Sequence, residues 1–234
     1  MNLTERYKEL TPLKTSHQSE VLKGVDRITN QRVIVKSHRY HGIGYTIERE
    51  ILQEVSHEHL AILLDVVRQE EGEFIVLKEV EGETLETLLE SRKFSEYDVV
   101  EMLRQLCACV SYLHAHPKEI IHRDINPRNI MINARGHLVL IDFGISTWRQ
   151  RADVDNEVCG TIGYAPPEVI LSTDANEKQR DLYGIGGTLK RCLEKNPQIY
   201  SMELTLIWKK AMAIHPKDRY QSIEQMKEDL QLLC

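Results

Sequence analysis

The sequence predicts an α+β chain of two lobes, a small β-rich lobe with one helix over about residues 1–79 and a mainly helical lobe over about 80–234. Two observations lead there. Before residue 80 the apolar residues come in short runs rich in β-branched side chains, which is strand chemistry. After the Glu81-Gly82 break they recur every three or four residues over long stretches, which is helix chemistry. A boundary between two such lobes predicts a cleft, and ligands favour such places.

In chain order, strands are predicted at Val21-Leu22-Lys23, Arg32 to Lys36, Leu63 to Val67 and Phe74 to Lys78, the last two joined by a turn at Glu70-Glu71-Gly72-Glu73. Ile47, Ile51, Leu52 and Val55 share helical spacing, so Thr46 to Val55 reads as an amphipathic helix. Ser95 with Asp98 three residues on forms an N-terminal cap. The apolar face Val99, Leu103, Leu106, Cys107, Val110, Leu113 then runs to Pro117 as a long core helix. Ile130-Met131-Ile132 and Leu138 to Ile141 flank the turn residues Asn133-Ala134-Arg135-Gly136, a hairpin. A helix from Met202 to Ala213 follows. The last helix is capped by Ser222 with Gln225 and buries Ile223, Met226, Leu230 and Leu233.

Thirty-six acidic and 30 basic residues leave a net charge of −6, which argues against a generally basic nucleic-acid binder or polybasic membrane binder. The apolar runs are too short to span a bilayer, and the first residues lack the form of a signal peptide, so a cytoplasmic location is expected. Five cysteines, odd in number and without CxxC spacing, indicate neither a disulfide framework nor a zinc site, and read as reduced thiols.

The chemistry concentrates at the hairpin. Its geometry brings Asn129, before the first strand, beside Asp142, after the second. An amide oxygen and a carboxylate at one sheet edge suit a hard cation such as Mg²⁺ with room for phosphate, and Asp124 approaches the same edge as a candidate base.

His122-Arg123-Asp124-Ile125-Asn126-Pro127-Arg128-Asn129, then Asp142-Phe143-Gly144, then Gly160-Thr161-Ile162-Gly163-Tyr164-Ala165-Pro166-Pro167-Glu168 closely resemble the eukaryotic-type protein kinase family, from about Tyr7 to Leu233. The wording looks like that of compact bacterial or phage-borne members. The resemblance implies the bilobal kinase fold, ATP and Mg²⁺ as cofactors, and a protein substrate. It implies that Lys36 binds the α- and β-phosphates. Glu48 and Glu50 compete to anchor it, and Glu48 is preferred because its offset from His57 fits the family. Leu52 then falls on the position that stacks with Leu63, Phe143 and His122. The resemblance further implies Asp124 as the residue that orients and accepts the substrate proton, Asn129 and Asp142 on the metal, and Thr161 in contact with the catalytic aspartate, which favours serine/threonine over tyrosine specificity. Asp181 would anchor the loop backbone, and Glu168 would pair with Arg219. Val21 above, Met131 below, and Ile34, Leu77, Glu79 and Val80 complete the implied nucleotide-binding set.

The pattern departs from the family in four places. The three glycines of the phosphate-covering loop fall on Lys14, Ser16 and Ser19, a stiffer and bulkier loop in which hydroxyls, with Lys14 or His17, replace close backbone approach. Ile34 stands where alanine usually lies over adenine. Asn126 replaces the lysine that neutralises the transferring phosphoryl group, and Arg128, at a position many tyrosine kinases give to arginine, is the candidate substitute. Asn196 to Tyr200 leads at once into the next helix, so the usual insert is missing or reduced. Arg123 would hold a phosphorylated activation segment, with Ser146, Thr147 and Thr161 as candidate acceptors, and Asp153, Asp155 and Glu157 read as a solvated acidic loop in preference to built-in charge for Arg123. Cys159 reads as a buried inert cysteine in preference to an oxidisable thiol, and Trp148 is either core or a docking residue. Two other readings stay open: a pseudokinase that binds nucleotide or scaffolds partners, and a small-molecule kinase.

Overall fold

The structure, a computed structural model, describes residues 2–15, 19–38, 43–70, 72–149, 160–170 and 176–233. The chain divides into two compact units, Met1–Ser56 with Ala61–Val80, and His57–Leu60 with Glu81–Cys234.

The first unit is a five-stranded antiparallel sheet with strands β1 (Tyr7–Thr15), β2 (Ser19–Asp26), β3 (Arg32–His38), β4 (Leu63–Gln69) and β5 (Gly72–Lys78), in the order β1-β2-β3-β5-β4. A one-turn helix α1 (Leu3–Arg6) precedes β1, and α2 (Ile43–Glu54) links β3 towards β4. Val33 and Val35 alternate with Ile34 and Lys36 along β3, so the strand presents two different faces. Val33, Val35, Val67 and Val76 pack with Leu3 and Tyr7 into the core of this unit. The register pairs Val21 with Lys36 and Ile34 with Leu77, which puts these four on the opposite face. β1 was not legible in the sequence: it is an edge strand interrupted by Pro12 and two register shifts, and from Thr11 onward it is exposed. Its buried start is fixed instead by Arg6, which bonds Asp26 and Asp65, and by the Tyr7 hydroxyl, which donates to Asp65 at 3.1 Å.

The second unit holds β6 (Glu83–Thr84), α3 (Leu85–Ser91), α4 (Glu96–Ala115), β7 (Ile120–Ile121), β8 (Ile130–Ile132), β9 (Leu138–Leu140), β10 (Thr147–Trp148), α5 (Pro167–Ile170), α6 (Glu177–Lys195), α7 (Met202–Ala211), a 3-10 turn (Pro216–Asp218) and α8 (Ile223–Gln231). α4 starts at the expected capping box, Ser95 with Asp98, and ends at Ala115, two residues before Pro117. α8 starts at Ser222, whose side chain accepts from the Gln225 amide, but ends at Gln231, so Leu233 lies in the following turn. The expected hairpin is present as β8 and β9, with Met131 opposite Val139. Trp148 is buried, paired with Ile120 and capped by Lys118, whose Nζ lies 4.4 Å from the ring centre. Among the described residues no helix is long and apolar enough to cross a membrane.

α6 carries three glycines, which weaken its helical signal in the sequence. Gly184 is there for contact: a Cβ at this position would stand 2.6 Å from the Ile125 carbonyl oxygen. After α6 the chain reaches α7 in six residues. The Asn196 side chain closes that short link, accepting from the Phe94 amide at 2.7 Å and donating to the Cys192 carbonyl at 2.8 Å. Where an insert would sit, Tyr200, Met202 and Leu206 are exposed.

Candidate active site

In the first unit Lys36 is nearly buried and its Nζ donates to Glu48 Oε1 at 2.7 Å. Glu48, one turn before Leu52 on α2, is 1% exposed, so this is a desolvated charge pair in which each partner needs the other. Glu50 lies instead beside Arg49, at 4.0 Å. Val21, Ile34 and Leu77 line the same sheet face as Lys36 and are half-buried, as is Val80. Glu79 is engaged by Lys23 at 2.6 Å and its amide donates to the Arg32 carbonyl. Lys14 is exposed and in register with Val21; Ser19 begins β2, and Ser16 and His17 lie outside the described residues.

In the second unit the loop between β7 and β8 is built from the Asp181 carboxylate outward. Asp181, wholly buried on α6, accepts from the backbone N–H of His122 at 3.0 Å, from that of Arg123 at 2.8 Å and from His114 Nε2 at 2.9 Å. Burial alone would push its carboxyl up, yet the His114 and backbone donors hold it below the ordinary range. This grip sustains a left-handed backbone at Arg123 (φ 68°), an uncommon conformation for a non-glycine residue. The His122 ring is fully buried edge-on to Phe143, with centroids 4.9 Å apart; burial lowers its pKa against the raising effect of Asp181, Asp124 and Asp142.

Asp124 is held from both sides. Its Oδ1 accepts from the Thr161 hydroxyl at 2.7 Å and the Thr161 amide at 3.2 Å, and its Oδ2 accepts from Asn129 Nδ2 at 2.8 Å. Asn129 also gives its Nδ2 to the Asp124 carbonyl at 2.9 Å, so among the described residues only its Oδ1 is left unused. The Ile141 amide donates to the Asn129 carbonyl at 2.8 Å, which brings Asp142 to the same hairpin edge. Asp142 is exposed, in the left-handed region at φ 65°, and accepts from the Gly144 amide. An amide oxygen and an exposed carboxylate at one edge are hard oxygen donors, a fitting pair for Mg²⁺.

Asn126 is 2% exposed and works as a structural bracket. Its Nδ2 donates to the Asp124 carbonyl at 3.0 Å and to Thr161 Oγ1 at 3.3 Å, and its Oδ1 accepts from the Arg128 amide. The Arg128 side chain is exposed, and among the described residues it makes no side-chain bond to Asp124.

The regulatory expectations change here. Arg123 is buried and its Nε donates to Glu177 Oε2 at 3.0 Å, a carboxylate at the start of α6 that sequence reasoning missed. Ser146 and Thr147 are buried, the first donating to the His122 carbonyl, and Thr161 is committed to Asp124, so none of the three candidate acceptors is a free surface hydroxyl. Asp153, Asp155, Glu157 and Cys159 lie outside the described residues. Glu168 and Arg219 form a bidentate pair with both sides buried, and Arg219 also donates to the carbonyls of Ala213 and Ile214. Cys107, Cys109 and Cys192 are free thiols buried in the core, and desolvation pushes those of Cys107 and Cys192 up to about 12.

The chain is similar to several protein kinases. The chain is 28% identical to the mitogen-activated protein kinase HOG1 of Candida albicans over 83% of its own length and 52% of that protein's. It is 33% identical to the calcium/calmodulin-dependent protein kinase cmkA of Emericella nidulans over 59% of the chain and 34% of the relative, and 29% identical to myosin light chain kinase A of Dictyostelium discoideum over 72% and 59%. The chain thus spans between about a third and three fifths of these relatives' lengths. The family model for the protein kinase domain matches residues 7–234, and with that match the chain belongs to the protein kinase domain family.

Proposed function

We propose that residues 1–234 act as one catalytic domain, an ATP- and Mg²⁺-dependent protein kinase that phosphorylates serine or threonine hydroxyls of protein substrates. The observation that carries this is the fixed Asp124 carboxylate, braced by Thr161 on one oxygen and Asn129 on the other, beside the unused Asn129 Oδ1 and the exposed Asp142. Asp124 orients the substrate hydroxyl and takes its proton as the oxygen attacks the γ-phosphorus; the bond to the β–γ bridging oxygen breaks and ADP leaves. Asp142 and Asn129 hold Mg²⁺, which supplies charge neutralisation to the phosphates. Lys36, fixed by Glu48, meets the α- and β-phosphates, and Val21, Ile34, Leu77, Glu79, Val80 and Met131 receive the adenosine. With Asn126 consumed in loop bonding, Arg128 supplies the cation at the transferring group. The Thr161–Asp124 bond supports serine/threonine choice.

The test is transfer of label from γ-labelled ATP, with Mg²⁺, to a generic protein substrate. The wild type is expected to transfer label, while Asp142→Asn and Lys36→Met reduce transfer to background. No label above the Asp142→Asn blank overturns the enzyme reading; thermal stabilisation by nucleotide in that case would mark a pseudokinase. Label on small alcohols but on no protein would mark a small-molecule kinase.

A further inference from the structure

Outside the catalytic set, Glu58, His59 and His137 bring one carboxylate oxygen and two imidazole nitrogens within 4.8 Å of one another. The three come from two pieces of the second unit. The segment His57–Leu60 lies along β9, with Leu60 in a parallel bridge to Leu140 and the Leu140 amide donating to the His59 carbonyl at 2.9 Å. His137 enters β9 from the hairpin turn, its amide held by the Asn133 side chain.

Each imidazole has its tautomer set by a backbone carbonyl, which only accepts. His59 Nδ1 lies 2.9 Å from the Leu138 carbonyl oxygen and so carries the proton; its Nε2 is left as a lone pair. His137 Nε2 lies 3.1 Å from the Glu58 carbonyl oxygen and carries the proton; its Nδ1 is left as a lone pair. Among the described residues no donor reaches either lone pair. The two rings stand 4.8 Å apart, tilted by 39°. This is the arrangement in which the second nitrogen of a ligating histidine is tied to a carbonyl, fixing ring orientation and raising basicity. A cavity of about 500 Å³, lined by both histidines with Met102, Gln105 and Arg135, gives a cation a path in and room for a water.

We propose that Glu58, His59 and His137 form a Zn²⁺ site that clips the His57–Leu60 segment to the β8–β9 turn. Two imidazoles and a carboxylate select Zn²⁺ over the oxygen-seeking Mg²⁺ and Ca²⁺, and three protein ligands leave one tetrahedral position for water. Bonds of about 2.0–2.2 Å require ligand atoms about 3.4 Å apart: rotation of the exposed Glu58 side chain brings in the carboxylate, and a small turn of the two imidazoles about their carbonyl bonds closes the remaining distance. None of the three belongs to the proposed catalytic set, so their metal binding is tested independently of the kinase reading.

The test is titration of chelator-stripped protein with zinc chloride, followed by calorimetry, by thermal denaturation and, with Co²⁺ as the probe, by visible ligand-field absorption. One Zn²⁺ per chain is expected, with the midpoint raised by about 5 °C at a hundredfold excess over Kd, intense tetrahedral-type Co²⁺ absorption and no response to Ca²⁺. Glu58→Gln and His137→Gln, both at surface-accessible positions, are expected to keep the wild-type circular dichroism and to weaken Zn²⁺ more than about tenfold. Absence of Zn²⁺ binding by the wild type, or binding of equal strength by both variants, overturns the site.

Discussion

At Asp124 the hydrogen bonds are all made before any substrate arrives, so their removal should appear in turnover more than in nucleotide binding. Thr161→Ala deletes the 2.7 Å bond to a carboxylate, and at about 1.5–3 kcal/mol for a charge-assisted bond kcat should fall roughly ten- to hundredfold with the KM for ATP unchanged. Arg128 is a different kind of residue, exposed and, among the described residues, without a side-chain bond to Asp124; Arg128→Ala should lower kcat by about a hundredfold, as loss of one transition-state charge does, and leave the denaturation midpoint in place. An unchanged phosphotransfer rate would remove it from the mechanism. Asn126 reverses that pattern. Its departure from the family was visible in the sequence as a lost cation, but its amide proves to be the bracket between residues 124, 128 and 161, so Asn126→Ala should destabilise the fold by about 1–3 kcal/mol through buried groups left unpaired, measured by urea unfolding.

Among elements, α6 decides how the loop is held. It brings Asp181 beneath the His122 and Arg123 amides, Glu177 to the Arg123 guanidinium and Gly184 against the Ile125 carbonyl. Gly184→Ala gains helix propensity of about 1 kcal/mol but forces a Cβ to 2.6 Å from that backbone oxygen, which cannot rotate away. The expected outcome is a lower midpoint together with a fall in kcat, because helix and catalytic loop must separate; a more stable variant with full activity would show the contact to be soft. The sequence displayed α4 and α8 through cap and periodicity, and obscured α6 because its apolar stripe of Leu182, Ile185, Leu189 and Cys192 is interleaved with three glycines and with the buried polar Asp181 and Thr188.

For the molecule as a whole, acid should be destabilising well above the carboxylate range. His122 and His57 both have pKa values below the ordinary 6.5, each through burial, so the unfolded chain binds more protons as pH falls below that value. Stability is therefore fullest above about pH 6.5 and declines from there toward pH 5, by up to about 1.4 kcal/mol per pH unit for each such group. Asp181, also depressed, adds a further loss only below its ordinary value of 3.8. Guanidinium midpoints flat from pH 8 to 7 and falling between 6.5 and 5, with the fall reduced in His122→Phe, would bear this out; a flat profile would contradict it. The order of motifs, the β-to-helix change near residue 80, the capped helices and the hairpin carrying Asn129 and Asp142 could be read from the chain alone, because each is a local pattern of spacing, cap or turn. Partnerships between residues far apart in sequence were decided only by tertiary structure: Arg123 with Glu177, Asn126 with Thr161, and His59 with His137 through carbonyls that fix their protons. A side chain's identity announces what it is able to bond, whereas which partner reaches it, and with which atom, depends on how helices and loops distant in the chain come to lie together.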